Sequence, residues 1–468
     1  MRQPERSVAM TGNLDDDLAR HLLRSDGQED LCLVTWRPST GAARTTALLS
    51  EAVLPRDGER RVQGVATVTG DYVLRAAEHA ASIGCGIALA HSHPLGTGHQ
   101  AMSAPDFDTE RSYAGLASEV TGLPLVGLTL AGDRSWSARC WEYDSAGSAT
   151  PVGATNVRVV GTCLAVTWNP LLRPPPKEQV SQLRTVSAWG DKTQADLARR
   201  RVCVVGAGSI GLDIIVRLAA SGVGHIIVID PDIVKLHNLD RLIGATIEDA
   251  RLGLAKVDVA AREARRSGTS PALHVETIQA SIDEPRAYAA ALDCDLVFCC
   301  VDRPWPRAVL NQLAYADLIP VLDGGIAIDT FTDGRMRSAT WRAHILRPGQ
   351  PCAICNRQLD PALIAVDRDG LLDDPTYIAA SGLQFAEPAG QNVAVLSISA
   401  VGLLLGAYTS FSVAPGGFGD PGPLQYSLAT HSLETLTSAT NEDCAYEAET
   451  GRGDARTPLV PALATDES

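Results

Sequence analysis

The sequence predicts an α/β chain of two domains, an α+β domain followed by a doubly wound, mostly parallel α/β domain. Three observations predict it. In the first half, apolar runs at residues 31–36, 47–54, 87–90 and 123–130 are separated by one helical stretch, residues 71–83, which is an α+β pattern. In the second half, short β-branched or apolar runs at residues 202–205, 225–229, 296–301 and 319–322 alternate with helical stretches that include residues 210–221 and 255–266. Between the halves stands Pro174-Pro175-Pro176, which continues neither a helix nor a central strand and favours an extended linker.

These features set the expected boundaries: a first domain over residues 1–165, a Pro-rich linker over 166–181, a second domain over 182–440 and a polar tail over 441–468. A chain of 468 residues fits two or three domains at roughly 100–200 residues each. The composition turns polar after about Ser438, so the last 20 or so residues are expected to be weakly ordered. The formal net charge of −15 argues against nucleic acid as a partner, because that affinity comes mainly from Lys and Arg on phosphates. Eleven scattered cysteines, an odd number, read as reduced thiols and point to the cytoplasm. The first 24 residues carry no apolar segment behind their arginines, so no signal peptide is expected. Residues 388–419 hold no charge, but Ser397, Ser399, Gly402 and Gly406 interrupt them. A buried helix is expected there rather than a membrane span.

The first chemical motif is His91-Ser92-His93-Pro94, followed by Ser103-Ala104-Pro105-Asp106. An apolar run, residues 87–90, leads into His91, and alternate residues of a strand share a face, so His91 and His93 converge on one ion. Asp106 supplies a third ligand. Three protein ligands on zinc leave a fourth position for water, whose pKa falls to about 7. Glu51, a carboxylate inside an apolar run, is the candidate general base.

Residues 31–141 thereby resemble the JAB/MPN family with the JAMM motif, metallopeptidases that cleave after the C-terminal glycine of ubiquitin-like proteins. The resemblance implies that His91, His93 and Asp106 ligate Zn2+, that Glu51 is the general acid/base, and that the Ser103 hydroxyl stabilises an oxyanion. One departure is a slightly longer segment over residues 95–102, which contains His99, a possible extra ligand.

The second motif is Gly206-Ala207-Gly208-Ser209-Ile210-Gly211 after the apolar run 202–205. The first glycine permits the tight turn, the second lets phosphate approach the backbone, and the third lets the helix pack on the sheet. Alone, this motif does not separate NAD, FAD and ATP. Asp230 suits a ribose hydroxyl, which still fits a dehydrogenase. The residues that follow fit one less well. Asn238 and Arg241 come next, Lys256 heads a helix, and Asp302 ends the run 296–301, ahead of Arg307 and Asn311. Lys and Arg suit charge stabilisation at the α-phosphate of ATP, and an Asp at the C-terminal end of a strand suits a Mg2+ ligand.

This arrangement resembles the ThiF/MoeB-type family, to which ubiquitin-activating enzymes also belong, over residues 182–430. The resemblance implies a Rossmann-like domain that adenylates the C-terminal glycine of a ubiquitin-like or sulfur-carrier protein ending in Gly-Gly. Gly206, Gly208 and Gly211 would face the ATP phosphates, Asp230 the ribose, Asn238, Arg241 and Lys256 the triphosphate, and Asp302 the Mg2+. Arg184 matches the arginine that reaches into a partner subunit's ATP site, which implies a homodimer. Two departures stand out. The family's two C-x-x-C zinc pairs are here Cys352-x-x-Cys355 and a lone Cys444, so a second, structural Zn2+ has three thiolates available. The segment 384–392, where thioester-forming members carry a cysteine, has none.

The expected function is therefore a fused enzyme. One domain would adenylate the C-terminal glycine of a ubiquitin-like protein, and the other would hydrolyse a peptide or isopeptide bond after that glycine. The alternatives are sulfur-carrier activation for cofactor or natural-product biosynthesis, and an ATP-bound dimeric scaffold without catalysis.

Overall fold

The computed structural model describes residues 4–63, 65–143, 147–177, 179–381 and 393–459. The chain divides into two compact units. One comprises residues 1–175 with 451–456, the other residues 176–450 with 457–468.

The first unit is built on a nine-stranded sheet. In chain order its elements are β1 (Glu5–Thr11), α1 (Gly12–Leu22), β2 (Leu31–Thr40), β3 (Arg44–Val53), β4 (Arg60–Gln63), β5 (Val65–Val68), α2 (Gly70–Ser82), β6 (Gly86–His93), α3 (Ala104–Thr121), β7 (Val126–Ala131), β8 (Trp136–Tyr143), β9 (Ala149–Gly153), β10 (Asn156–Val160) and β11 (Leu164–Trp168). The sheet order is β11-β10-β1-β3-β2-β6-β7-β8-β9, and β4 and β5 form a separate hairpin. The central strands are apolar on both faces, because each face is covered. Leu14, Leu18 and Leu22 of α1 join the core on one side, and Tyr72, Val73 and Ala76 of α2 with Ala114 and Ala117 of α3 join that on the other. Apolar runs in the sequence locate β2, β3, β6 and β7. The short N-terminal helix and α3, whose buried face is made of alanines and one glutamate, lie outside those runs.

The second unit contains α4 (Leu183–Trp189), α5 (Asp191–Arg199), β12 (Arg201–Val205), α6 (Ser209–Ala220), β13 (His225–Ile229), α7 (Ile247–Leu252), α8 (Lys256–Ser267), β14 (His274–Ile278), α9 (Pro285–Leu292), β15 (Leu296–Cys299), α10 (Pro304–Ala316), β16 (Val321–Thr330), β17 (Met336–Leu346), α11 (Pro361–Arg368), α12 (Pro375–Ser381), α13 (Ala394–Val413), β18 (Leu424–Ser427), β19 (Ser432–Thr435) and α14 (Ala445–Ala448). Its sheet runs β14-β13-β12-β15-β16-β17-β18-β19. The first five strands are parallel and the last three are added antiparallel. From β12 the chain moves outward through β13 to β14, then returns to pair β15 on the other side of β12. That reversal creates a crevice at the C-terminal ends of β12 and β15, where an open α/β sheet binds ligands.

Helix α13 is long and apolar enough to cross a membrane by length and composition. Ser397, Ala400, Val401, Leu404, Tyr408 and Phe411 are buried, and the helix packs on α6, β16 and β17. Its other face leaves Val395 and Ile398 exposed.

Two expectations change. The strand expected over 296–301 stops at Cys299, so Asp302 lies past the strand in the turn before α10. The polar tail is not uniformly loose, because residues 451–456 belong to the first unit. There Asp454 accepts hydrogen bonds from Thr40 N (2.9 Å) and Thr40 Oγ1 (2.7 Å). Gly453 lies against Pro38 with a positive φ of 51°, and a Cβ there would stand 2.2 Å from the Pro38 carbonyl oxygen. A polar composition with one well-placed Asp and one Gly thus suffices to dock a strap on the end of β2.

Candidate functional sites

In the first unit β6 ends on His91 and His93, and α3 begins just after Ser103. Ser103 is the N-cap of α3, and Asp106 closes a capping box. Asp106 Oδ2 accepts from Ser103 N (2.9 Å) and Ser103 Oγ (2.6 Å), and Asp106 N donates to Ser103 Oγ (3.3 Å). The helix start therefore aims Asp106 at the strand end. Its Oδ2 lies 3.5 Å from His91 Nε2 and 3.4 Å from His93 Nε2. A tetrahedral zinc with bonds of about 2.0–2.2 Å spaces its ligands by about 3.3–3.5 Å, so the three donors fit that ion. Burial works against ionisation of Asp106, but hydrogen bonding and charge from His91, and hydrogen bonds from Ser103, hold its carboxyl well below the usual range. His99 is not part of this cluster.

A buried network supports the strand end. Thr129 Oγ1 lies 3.4 Å from His91 Nε2 and accepts from Arg139 (2.6 Å). The Arg139 guanidinium pairs with the fully buried Glu110 of α3, which also accepts from Trp141 Nε1 (2.7 Å). Each member is satisfied, as a buried charge requires.

Glu51 does not belong to this site. Its side chain is 58% exposed on β3 and lies 3.2 Å from His79. In place of Glu51, Glu29 lines the cavity formed with Leu31, Leu89, His91, Asp106 and Glu110. The reason is strand register. Leu31 pairs antiparallel with His91, and Asp30 and Ser92 bond next to them, so continuing the ladder sets Glu29 opposite His93. Asp30 is not available in its stead: it is buried and held by Arg60 (2.8 Å) and Arg24 (3.3 Å). The sequence signal was a carboxylate just before an apolar strand rather than within one.

In the second unit the glycine turn stands in the crevice. Gly206 has φ 93°, and a Cβ there would lie 2.6 Å from the Cys300 carbonyl oxygen; one on Gly211 would lie 1.8 Å from the Gly206 carbonyl oxygen. Nothing lies within 4 Å of the Cβ position of Gly208, the N-cap of α6, which has no side-chain cap. The first and third glycines thus serve the fold, while the second faces open space at the start of α6, where helix N–H groups have no intrahelical acceptor. Gly211→Ala is expected to cost about 1–3 kcal/mol or more in stability by overpacking. Gly208→Ala should melt like wild type yet bind ATP at least 10-fold more weakly, as read by calorimetric titration and thermal unfolding. Equal ATP affinity in Gly208→Ala and wild type would remove this turn from the phosphate site.

Asp230 is buried and braces the turn, its Oδ2 accepting from Ala207 N (2.6 Å) and its Oδ1 from Asp232 N (2.8 Å). Burial pushes its carboxyl up, opposed by Lys256 and those two N–H groups. Lys256 Nζ lies 2.6 Å from Asp232 Oδ2 at the start of α8. Arg241 donates to the His237 carbonyl (2.7 Å) and Asp240 (2.9 Å), and Asn238 Oδ1 accepts from Lys235 N (3.0 Å), shaping the turn that carries them. Asp302 is exposed beyond β15. The next residue, Arg303, is anchored to Asp367 (2.7 Å) and Asp373 (2.8 Å), and Trp305 N donates to Asp367 (2.8 Å), which fixes the turn holding Asp302.

Arg307 differs from the phosphate-facing role that its spacing suggests. It is committed to Asp323 and donates to the Gly324 carbonyl (2.9 Å). Asn311 is wholly buried, and its Oδ1 accepts from Ala353 N (3.2 Å), tying the cysteine turn to α10. Burial pushes Cys299 well up and Cys300 to about 12, which disfavours the thiolate at both. Arg184 is exposed on α4. The segment 384–392 lies outside the described residues.

Cys352, Cys355 and Cys444 converge, with Cys444 Sγ 3.6 Å from Cys352 Sγ. Zinc–sulfur bonds of about 2.3 Å space tetrahedral thiolates about 3.8 Å apart, so these three fit a zinc ion. Asn441 N donates to Cys355 Sγ (3.4 Å), as does Cys355 N to Cys352 Sγ (3.4 Å). Burial disfavours the thiolate at Cys355, but the N–H of Asn441 and the neighbouring thiols outweigh it and lower its pKa.

Known proteins resemble the second unit. The chain is 34% identical over 137 residues to the SAMP-activating enzyme E1 of Haloferax volcanii, covering 29% of this chain and 49% of that protein. It is 30% identical over 185 residues to the adenylyltransferase and sulfurtransferase UBA4 of Yarrowia lipolytica, covering 40% and 43%. It is 32% identical over 148 residues to the molybdopterin-synthase adenylyltransferase of Escherichia coli, covering 30% and 58%. The chain thus spans about half the length of the curated relatives it matches. Among solved structures, E. coli MccB with ATP is similar at a TM-score of 0.44 and 19% identity, over 57% of this chain and 74% of that one. With the glycine turn at the switch point of a mostly parallel sheet and a match to the ThiF family model over residues 180–404, the chain carries a ThiF-family domain.

Proposed function

We propose that the ThiF-family unit activates the C-terminal glycine of a sulfur-carrier or ubiquitin-like protein as an acyl-adenylate. The observation that carries this reading is the placement of the Gly206–Gly211 turn and Asp302 at the two strand ends flanking one crevice. The carrier's terminal carboxylate attacks the α-phosphate of ATP, the bond to the β-phosphate breaks, and pyrophosphate leaves. Backbone N–H groups at the start of α6 bind phosphate oxygens, and Asp230 holds the ribose side of the turn. Lys256 and Arg241 stabilise the charge that develops on the departing pyrophosphate. Asp302 would hold Mg2+, which neutralises phosphate charge when bound.

Sulfur-carrier activation is the favoured form. One relative above is named an adenylyltransferase and sulfurtransferase, and another a molybdopterin-synthase adenylyltransferase. The test is ATP–pyrophosphate exchange with a panel of carriers ending in Gly-Gly. Carrier-independent exchange, or none with any carrier, counts against adenylation of such a tail.

The first unit supports a second activity, zinc-dependent hydrolysis after the carrier's terminal glycine. His91, His93 and Asp106 would hold Zn2+, which makes hydroxide available near neutral pH when bound. Glu29 would accept the proton of the attacking water and deliver it to the leaving amine. Ser103 positions Asp106, and reaches an oxyanion only by giving up that bond. A second Zn2+ at Cys352, Cys355 and Cys444 would be structural, tying α10 to the segment around residue 444.

The ThiF-family unit is proposed to form a homodimer that covers the exposed apolar side of α13 and places Arg184 toward the partner. Light scattering of the full chain should give about twice 49.4 kDa. Val395→Asp, on the face exposed at 70%, should shift it to the monomer mass; a monomeric wild type ends this reading.

A further inference from the structure

The parallel sheet of the second unit holds another group of donors, at the opposite end from the glycine turn. His225 opens β13 and His274 opens β14, and the two are register partners, so their imidazoles share a face of the sheet. Glu276, two residues along β14, returns to that same face. One ligand atom from each of the three lies within 4.8 Å of the others, and the two rings meet edge to face at 4.8 Å between centroids. His225 is half-buried, while His274 and Glu276 are exposed.

We infer that His225, His274 and Glu276 form a surface site for a divalent transition-metal ion, with the remaining coordination positions open to water. The ligand set decides the class of ion. Two imidazoles with one carboxylate suit zinc, cobalt, nickel or ferrous iron, whereas magnesium and calcium prefer oxygen alone. The spacing decides feasibility. Tetrahedral ligands about 2.0–2.2 Å from zinc stand about 3.3–3.5 Å apart, and the three donor atoms lie within 4.8 Å of one another, a difference that side-chain rotation spans.

Location separates this site from the nucleotide chemistry. The strands are parallel, so their N-terminal ends lie across the sheet from the turn that follows β12. The ion therefore takes no part in adenylation. Its effect is to bridge the edge strand β14 to β13, fastening a sheet edge that is otherwise open to pairing with another chain. Two cations temper its affinity. Arg201 on β12 is the register partner of His225, and Arg265 donates to the Val275 carbonyl. The site is accordingly weaker than the buried group of three thiols.

The experiment uses the full chain, stripped with a chelator and titrated with Zn2+ and with Co2+. Bound equivalents are read by elemental analysis and affinities by calorimetry. His274→Ala should lose one equivalent of zinc. Glu276→Gln should bind that equivalent at least 10-fold more weakly, since even outer-shell losses cost about 10–100-fold. Circular dichroism should be unchanged in both, because both positions are exposed. The thiolate-to-cobalt absorption should persist, which shows that the cysteine group is intact. Combining His274→Ala with His93→Ala should remove two equivalents. Unchanged stoichiometry and affinity in His274→Ala overturns the site, as does a loss confined to the thiolate absorption.

Discussion

Asp302→Ala is expected to lower carrier-dependent ATP–pyrophosphate exchange by on the order of 10²–10³-fold, the effect of removing one charge-organising group from a reaction centre. β15 leaves the sheet beside β12, and Arg303 is pinned to Asp367 and Asp373, so the turn holds Asp302 at the mouth of the crevice rather than letting it wander. The carboxylate is exposed, so its loss should not unfold the unit. Thermal unfolding should therefore match wild type while exchange collapses. Asp302→Asn, which keeps the shape and removes the charge, should resemble Asp302→Ala. Full exchange in both variants would show that another carboxylate organises the metal. Asp232 would be the next to test, since it stands 2.6 Å from Lys256 Nζ at the same crevice.

The difference between what the sequence locates and what it misplaces is physical. A glycine turn after an apolar strand is a local device, since each glycine answers to a neighbour a few residues or one strand away. Gly206 and Gly211 accordingly fall where the motif requires. His91, His93 and Asp106 are legible for the same reason, because strand periodicity and a capping box are both short-range rules. Arg307 was misread because a cation near a phosphate motif has the same local signature whether it faces a ligand or a buried Asp323, which enters from β16. The strap at residues 451–456 was missed because its contacts to Thr40 and Pro38 lie more than four hundred positions away. Glu51 was misplaced because only the pairing of β2 with β6 says which carboxylate meets the histidines.

Glu29→Gln is expected to abolish hydrolysis of a carrier extended beyond its terminal glycine, by about 10²–10⁴-fold, the range for loss of a general acid/base. Glu51→Gln should leave it within about 2-fold of wild type, the behaviour of an exposed side chain away from the reacting atoms. The two carboxylates are separated by register. Glu29 precedes β2 where that strand begins pairing with the end of β6, whereas Glu51 sits on β3 opposite Thr35 and lies beside His79. Zinc content distinguishes loss of the base from loss of the metal. Glu29→Gln should keep the equivalent bound by His91, His93 and Asp106, because it is not among the clustered donors, while His93→Ala should lose both the equivalent and the activity. Glu29→Gln also keeps the length and hydrogen-bonding capacity of the side chain, so a fall in kcat at unchanged zinc content isolates proton transfer. If Glu51→Gln is the inactive variant and Glu29→Gln is not, the base comes from β3 and the pairing of β2 with β6 does not select it. If neither variant hydrolyses less than wild type, the cluster is a metal site without a hydrolytic base, and the first unit serves the carrier by binding it.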